Sequence, residues 1–409
     1  MLRTLIFSVA LVASTLTIEA HAQYRAGLIG AAPAKRAGLE RSWFSQVRLD
    51  TARGYVVGIA HHISASNATT IYEVHYENGK LAYSEHYFDR FGKPLGEAGA
   101  KKLAEQKSIQ LQRAGLKPEI KVQQIPEITL YATTTQGMIH AIDGETGRTK
   151  WMAMVGNNHH PTLAPGANDR YVAVVNGSYI YLLDQKDGRQ LWRRQIDRAP
   201  GAGPALSPER VFVPTIDGKL VSFDLRDYKE PVGVFQSIGR TLIQPIVTPR
   251  SVIWPTDRGH MNVGPADRKG INFRIEARDT ITAKASFQAP FYVFMASIDG
   301  YVYSFHETSG GMNWDYSIGE PISQSPVPFG ERLFLVTEKR NLYCLDSMTG
   351  EPVWKTPMVT QFVSAGDKRA YVVGAAGNLQ VLDLATGSLL GTLNTQELDI
   401  KLLNKQTDR

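Results

Sequence analysis

Few residues in this chain have the type and spacing that chemistry requires. Its single cysteine, Cys344, lies in LYCLDSMTGEPVW (342–354), where a thiolate could serve as a nucleophile or a ligand. Two histidine pairs, His61 and His62 in AHHIS and His159 and His160 in NNHHPT, carry imidazoles of the kind that hold metals. Neighbours on a strand point to opposite faces, however, so neither pair chelates one ion easily, and loop polarity is the expected role of both. The glycines of GLIGAAPAKRAG (27–38) open no strand–helix unit at the spacing of a phosphate cradle and read as linker. The patterns G-x-S-x-G, H-E-x-x-H and C-x-x-C do not occur. No catalytic, cofactor-binding or metal-binding residue is therefore assigned, and no cofactor is expected.

The opening MLRTLIFSVALVASTLTIEAHAQ combines Arg3, an apolar run from Leu5 to Leu16, and small residues at Ala20 and Ala22. It reads as a secretory signal, residues 1–22, cut before Gln23 and followed by a linker over 23–41. The run is too short for a good membrane span, and no later run approaches one. The expected location is the periplasm or the exterior. One cysteine cannot form an internal disulfide, so packing must supply stability. The formal net charge of +6 is spread along the chain, which argues against a nucleic-acid-binding face.

The surroundings of Cys344 recur. GMIHAIDGETGRTKW, SYIYLLDQKDGRQLW and RNLYCLDSMTGEPVW place Asp143, Asp184 and Asp346 eight residues before Trp151, Trp192 and Trp354. Weaker copies carry Asp224, Pro265, His306 and Asp383 in the aspartate slot, with Trp314 in the tryptophan slot after His306 and Gly391 there in the last copy. The seven markers recur every 37 to 41 residues. Apolar columns one and four residues before the marker lie on opposite faces of a strand, which is therefore covered on both sides. Gly147, Gly188, Gly350 and Gly387 follow as the left-handed residue of a tight hairpin, whose backbone N–H groups the aspartate can accept. Two further strands precede each hairpin. Four short antiparallel strands per 40-residue unit signify a β-propeller blade. Cys344 occupies a column of small or apolar residues, and an inert core thiol is expected.

The pattern G-x-L-Y-x-L-D-x-x-T-G-x-x-x-W resembles the pyrroloquinoline quinone (PQQ)-type propeller repeat of quinoprotein alcohol dehydrogenases and BamB-like outer-membrane assembly lipoproteins, over residues 119–396. The resemblance implies an all-β, PQQ-like β-propeller with seven clear four-stranded blades. Residues 42–95 read as a divergent eighth blade, the alternative being a β-meander packed on a seven-bladed ring. Residues 96–118 form a helical insertion, helical from Glu97 to Ala114, and 397–409 a polar tail.

Quinoprotein dehydrogenases, as the resemblance implies, hold their quinone against a disulfide of adjacent cysteines, which one cysteine cannot make. The expected function is that of an exported, non-catalytic, protein-binding scaffold in envelope or outer-membrane protein assembly. A PQQ-binding oxidoreductase and a small-ligand or polysaccharide-binding propeller remain the alternatives. The lipoproteins carry a cysteine directly after the signal, whereas Gln23 stands here, so no lipid tether is expected. Candidate partner-binding residues are Arg198, Arg240, Gln244, Gln324 and Gln361, on loops joining the outer strand of one blade to the innermost strand of the next.

Overall fold

The computed structural model describes residues 31–39, 43, 45–48 and 54–393, except 78 and 90. The signal expected at 1–22 and the tail expected at 397–409 lie outside the described residues. No helix among the described residues is long and apolar enough to cross a membrane.

Strands form seven antiparallel sheets. The first contains β1 (Val56–Tyr76), β2 (Gly79–Ser84), β3 (Glu119–Thr134), β4 (Met138–Asp143) and β5 (Thr149–Met154), in the order β2-β1-β3-β4-β5. The other six are four-stranded, run in sequence order from the innermost strand outward, and span 166–195, 205–236, 246–276, 286–317, 327–357 and 359–393. The middle strands of each blade are buried on both faces, as at Arg210–Pro214 and Ser251–Pro255, because each blade is sandwiched between two others. The outer strands Gln190–Gln195, Met312–Ser317 and Pro352–Pro357 alternate between exposed and half-buried residues.

The core is divided among the blade interfaces. Apolar clusters join the first blade to the second around Ile139 and Val174, the second to the third around Leu182 and Phe223, and the third to the fourth around Phe212 and Trp254. Others join the fourth to the fifth around Ile253 and Phe305, the fifth to the sixth around Phe294 and Leu335, and the sixth to the seventh around Cys344 and Val372. At about 1.5–3 kcal/mol per fully buried large apolar side chain, each cluster outweighs any single hydrogen bond in the blades.

Tryptophans reinforce these interfaces. The indole Nε1 of Trp151 donates to the Gln185 carbonyl at 2.8 Å, that of Trp314 to Ser347 at 3.1 Å, and that of Trp354 to Leu384 at 3.0 Å, each in the following blade. The rings lie flat on the hairpin glycine of that blade. A Cβ on Gly188 would sit 2.4 Å from the Trp151 ring, and the backbone there has φ +73°, so both space and conformation demand glycine.

The last blade breaks this rule, since its slot holds Gly391. Trp43, from the segment preceding the ring, takes the vacant place on the first blade: its Nε1 donates to the Gly144 carbonyl at 2.9 Å, and its ring lies where a Cβ on Gly147 would be, 2.3 Å away. The same segment reaches the seventh blade, where Tyr371 donates to the Ala37 carbonyl at 3.2 Å just after helix α1 (Ala31–Arg36). Ala37 and Trp43 thus strap the last blade to the first.

The described residues of 42–95 do not make an eighth sheet. The first half of β1 pairs with Ile128–Thr134 of β3 and completes the first blade as its innermost strand, a strand its repeat lacks otherwise. After a bulge between Ile63 and Ala68, the same two strands pair again from Ala68 with Pro126 to His75 with Glu119, and β2 adds to this projecting arm. The carboxylate of Asp169 in the second blade fills the bulge, accepting from Ser66 N at 2.9 Å, Ser66 Oγ at 2.5 Å and Ala65 N at 3.2 Å, with His62 Nε2 at 2.7 Å. Helix α2 (Gly96–Arg113) covers one face of the arm through Ala100 and Ala104, packed with Tyr72 and Val74. Its end follows from Gly115, whose φ of +83° an L-residue rarely adopts.

Candidate functional site

Antiparallel strands alternate direction, so the loops that join blades emerge on the same face as the turns between second and third strands. A repeated backbone bond locks each loop to a turn on this face. Ile216 N donates to Ala199 O at 3.0 Å, Asp257 N to Arg240 O at 3.0 Å, Ile298 N to Thr280 O, Glu338 N to Pro321 O and Ala375 N to Met358 O, each at 2.8–2.9 Å. The loops are consequently a rigid rim.

Arg198 and Arg240 stand on this rim on adjoining loops; a Cβ on Gly201 would meet the Thr241 carbonyl at 2.1 Å. Arg240 donates its backbone N and its Nε to the Asp257 carboxylate, both at 2.7 Å, while its side chain stays 66% exposed. Burial opposes the charge of Asp257, but the bonds from Arg240 outweigh it and hold that carboxyl below its usual range. Arg198 lies 3.5 Å from Asp217, which the Thr215 hydroxyl and Lys219 keep ionised at lower pH than usual. Beside these ion pairs the rim exposes Ile216, Ile238 and Leu242.

The three glutamines face elsewhere. Gln244 belongs to the channel wall, with Nε2 donating to Pro204 O at 2.7 Å and Pro165 O at 3.3 Å, and Oε1 accepting from Lys284 at 2.8 Å. Gln324 donates to the Thr360 carbonyl of the last blade at 2.9 Å, and Gln361 stands on the innermost strand of that blade. The five candidates therefore divide into two arginines on the rim and three glutamines placed otherwise, Gln244 on the channel wall, Gln324 at a blade junction and Gln361 on an innermost strand.

The channel holds a cavity of about 360 Å³ walled by Ile59 to His61 of the first blade, Ala164 to Ala167 of the second, Pro204 to Leu206 of the third, Gln244 to Val247 of the fourth, and Lys284 of the fifth. Lys284 escaped sequence reasoning, and His61 lines this cavity where loop polarity was its expected role. Lys284 lies 40 residues after Gln244 and 40 before Gln324, so the repeat register itself marks that position. His61 and His62 lie on β1 rather than in a loop: His62 turns to Asp169 and His61 to the channel. Asp169 binds Ser66 and His62 at once, and the Ser66 hydroxyl donates to that carboxylate. Burial, the Lys284 ammonium and His62 hold the His61 imidazole below its usual value, favouring the neutral ring.

Around the repeat markers, Asp143 Oδ1 accepts from Glu145 N and Thr146 N, and Asp346 and Asp383 make the equivalent pairs of bonds. Cys344 is fully buried, and burial pushes its thiol up to about 12. Among the described residues no group of three or more histidine, cysteine or acidic side chains converges to hold a metal.

Comparison with known proteins gives a consistent set of relatives. The family described as outer membrane protein assembly factor BamB matches residues 103–230 and 298–404, more than half of the chain. Outer membrane protein assembly factor BamB of Burkholderia pseudomallei (strain K96243) is 22% identical over 273 residues, 64% of this chain; the chain spans only 62% of that relative's length. The crystal structure of BamB from Moraxella catarrhalis superimposes with a TM-score of 0.55 at 17% identity, covering 66% of this chain and 83% of that one. The computationally designed Ika8 protein superimposes with a TM-score of 0.52 at 16% identity, over 68% of this chain and 85% of its own. These likenesses establish the fold, a PQQ-like propeller.

Proposed function

The chain belongs to the family of outer membrane protein assembly factor BamB, and from that premise we propose that it is a non-catalytic scaffold that binds partner proteins during outer-membrane protein assembly. The observation that carries this reading is the rim: inter-blade loops held by backbone bonds, exposing Ile238 and Leu242 beside the ion-paired Arg198 and Arg240. Apolar residues flanked by arginine in fixed loops are the composition of protein-binding surfaces. Such a surface needs no reacting group. The reading places the protein in the periplasm, exported by the signal at residues 1–22.

A photoreactive amino acid at position 240 or 242, introduced in the native host, tests the proposal. Crosslinks to outer-membrane assembly components are expected, and those from position 240 should vanish when Leu242 is replaced by Asp at unchanged protein level. The same crosslinks from position 191 or 353, on outer strands away from the rim, or none from 240 and 242, would refute the rim as the working surface.

A further inference from the structure

The projecting arm carries an edge with no strand against it. Residues Glu119 to Pro126 of β3 pair with β1 on one side, in an unbroken register from Ala68 opposite Pro126 to His75 opposite Glu119. On the other side β4 joins only from Thr129 opposite Asp143 onward, and no other strand among the described residues enters the sheet there. Every residue from Glu119 to Gln124 is exposed. An open edge offers its N–H and C=O groups to any further strand, and proteins usually blunt one with a bulge, a proline or a covering element. Here Pro118 and Pro126 bound the edge, and the seven residues between them contain neither proline nor bulge.

Apolar side chains accompany this edge. Val122 lies opposite Tyr72 and Ile120 opposite Val74, so both stand on the face that α2 covers. The helix rests Ala100 and Ala104 on Tyr72 and Val74 and leaves Val122 58% exposed. Bare β-branched residues beside an open backbone edge are what a neighbouring strand would bury.

The edge is complementary to itself. Two identical strands related by a two-fold axis pair antiparallel, each residue facing the one equally distant from the central residue. With Val122 at the centre, Pro118 of one copy faces Pro126 of the other, and all seven residues between them are paired. Lys121, which has Glu119 beside it at 3.7 Å, then faces Gln123, while Ile120 faces Gln124, Glu119 faces Ile125 and Val122 faces itself. A centre one residue earlier would set Lys121 against Lys121, and one residue later Glu119 against Glu127; like charges directly opposite are destabilising. We propose that the protein forms a symmetric dimer with a second copy of itself by pairing residues 119–125 of β3 edge to edge about Val122. Strands β2, β1 and β3 of both copies then make one sheet, with both α2 helices on one face and Ile120 and Val122 of each copy between them. The arm extends from the end of β1 and β3 remote from the β3–β4 turn, on the side away from the rim, so the proposal does not depend on what the rim binds.

The test uses the purified mature chain in sedimentation velocity over the micromolar range. The unmodified protein should sediment as a concentration-dependent dimer. Val122→Lys, which opposes two ammonium groups at the axis from an already exposed position, should weaken association at least tenfold with the thermal transition within a few degrees. If Val122→Lys disturbs the arm itself, position 123 decides. Gln123→Glu sets a carboxylate against Lys121 twice in the dimer and should tighten association, whereas Gln123→Lys should weaken it. Val122→Cys should link to its counterpart through a short bismaleimide, since Cys344 is buried, and Gln106→Cys on the exposed side of α2 should not. A monomer throughout the range, a dimer indifferent to the changes at 122 and 123, or a link from Gln106→Cys as strong as that from Val122→Cys would each overturn the proposal. So would crosslinks in the native host that join Val122→Cys only to an extended segment of another protein, because the edge would then belong to a different occupant.

Discussion

Chemistry-bearing side chains in this protein work mostly as fasteners. Cys344 is enclosed between the sixth and seventh blades, and its thiol, pushed up to about 12, stays protonated at any physiological pH. A thiol reagent should therefore label the native protein only as fast as that interface opens; immediate labelling at pH 8 would contradict the packing. Glu320 plays the opposite part, as an ionised fastener. Burial opposes its charge, but bonds from Asn341, Thr337, Lys355 and Tyr343 outweigh burial and bring its carboxyl down from 4.5 to about 2. A carboxyl depressed on folding stabilises the native state above its unfolded value of 4.5 and loses that contribution as pH falls toward 2. Glu320→Gln should cost on the order of 1–2 kcal/mol at pH 7, after allowing for solvent screening, and almost nothing near pH 2. Denaturant titrations of both proteins across that range check this; a difference that does not shrink on acidification would show that Glu320 acts by packing alone.

At the scale of elements, the hairpin glycines carry more weight than their size suggests. Gly188→Ala adds a Cβ against the Trp151 ring and forces φ +73° on an L-residue, and should cost roughly 2–4 kcal/mol. Gly391→Ala, where nothing lies within 4 Å of the added Cβ, should be near neutral, and the pair of thermal melts separates a stacking role from mere turn preference. These elements were the legible part of the sequence, because a strand that repeats its columns every 40 residues announces its own neighbours. The helical insertion was equally plain, running Gly96–Arg113 where its composition suggested Glu97 to Ala114. What could not be read was the fate of residues 56–84. A hairpin forms around Gly79, with Ile71 opposite Ser84 and Tyr76 opposite Gly79. Local pattern does not say, though, whether such a hairpin joins a new blade or extends an old one. Long-range pairing decided that, through fifteen residues of β1 matched to β3. The candidate site was legible in part: Arg198 and Arg240 on the rim followed from loop position, whereas Lys284 needed the register of Gln244 and Gln324 to be compared across blades.

For the whole molecule, the seam between the last and first blades stands apart. Six apolar clusters bind the seven blades among the described residues, none of them across this seam, where the outer strand of the last blade exposes Leu389 and Leu390. Trp43 and the Tyr371 bond to Ala37 hold it instead. Trp43→Ala should remove roughly 2–3 kcal/mol, concentrated at the seam. Hydrogen exchange should then quicken in 359–393 while 205–276 keeps its protection; a uniform change, or none, would show that the strap is dispensable. The strap also fixes when the fold can be completed. Its two anchor points, Trp43 on the first blade and Ala37 under Tyr371, are separated in sequence by almost the whole ring. A chain made from its N-terminus delivers the fastener first and the blade it must secure last. Until residues near 371 arrive, the unfinished ring exposes the apolar flank of its latest blade. Closure is thus a late, long-range event, the kind that slows folding and prolongs the lifetime of aggregation-prone intermediates.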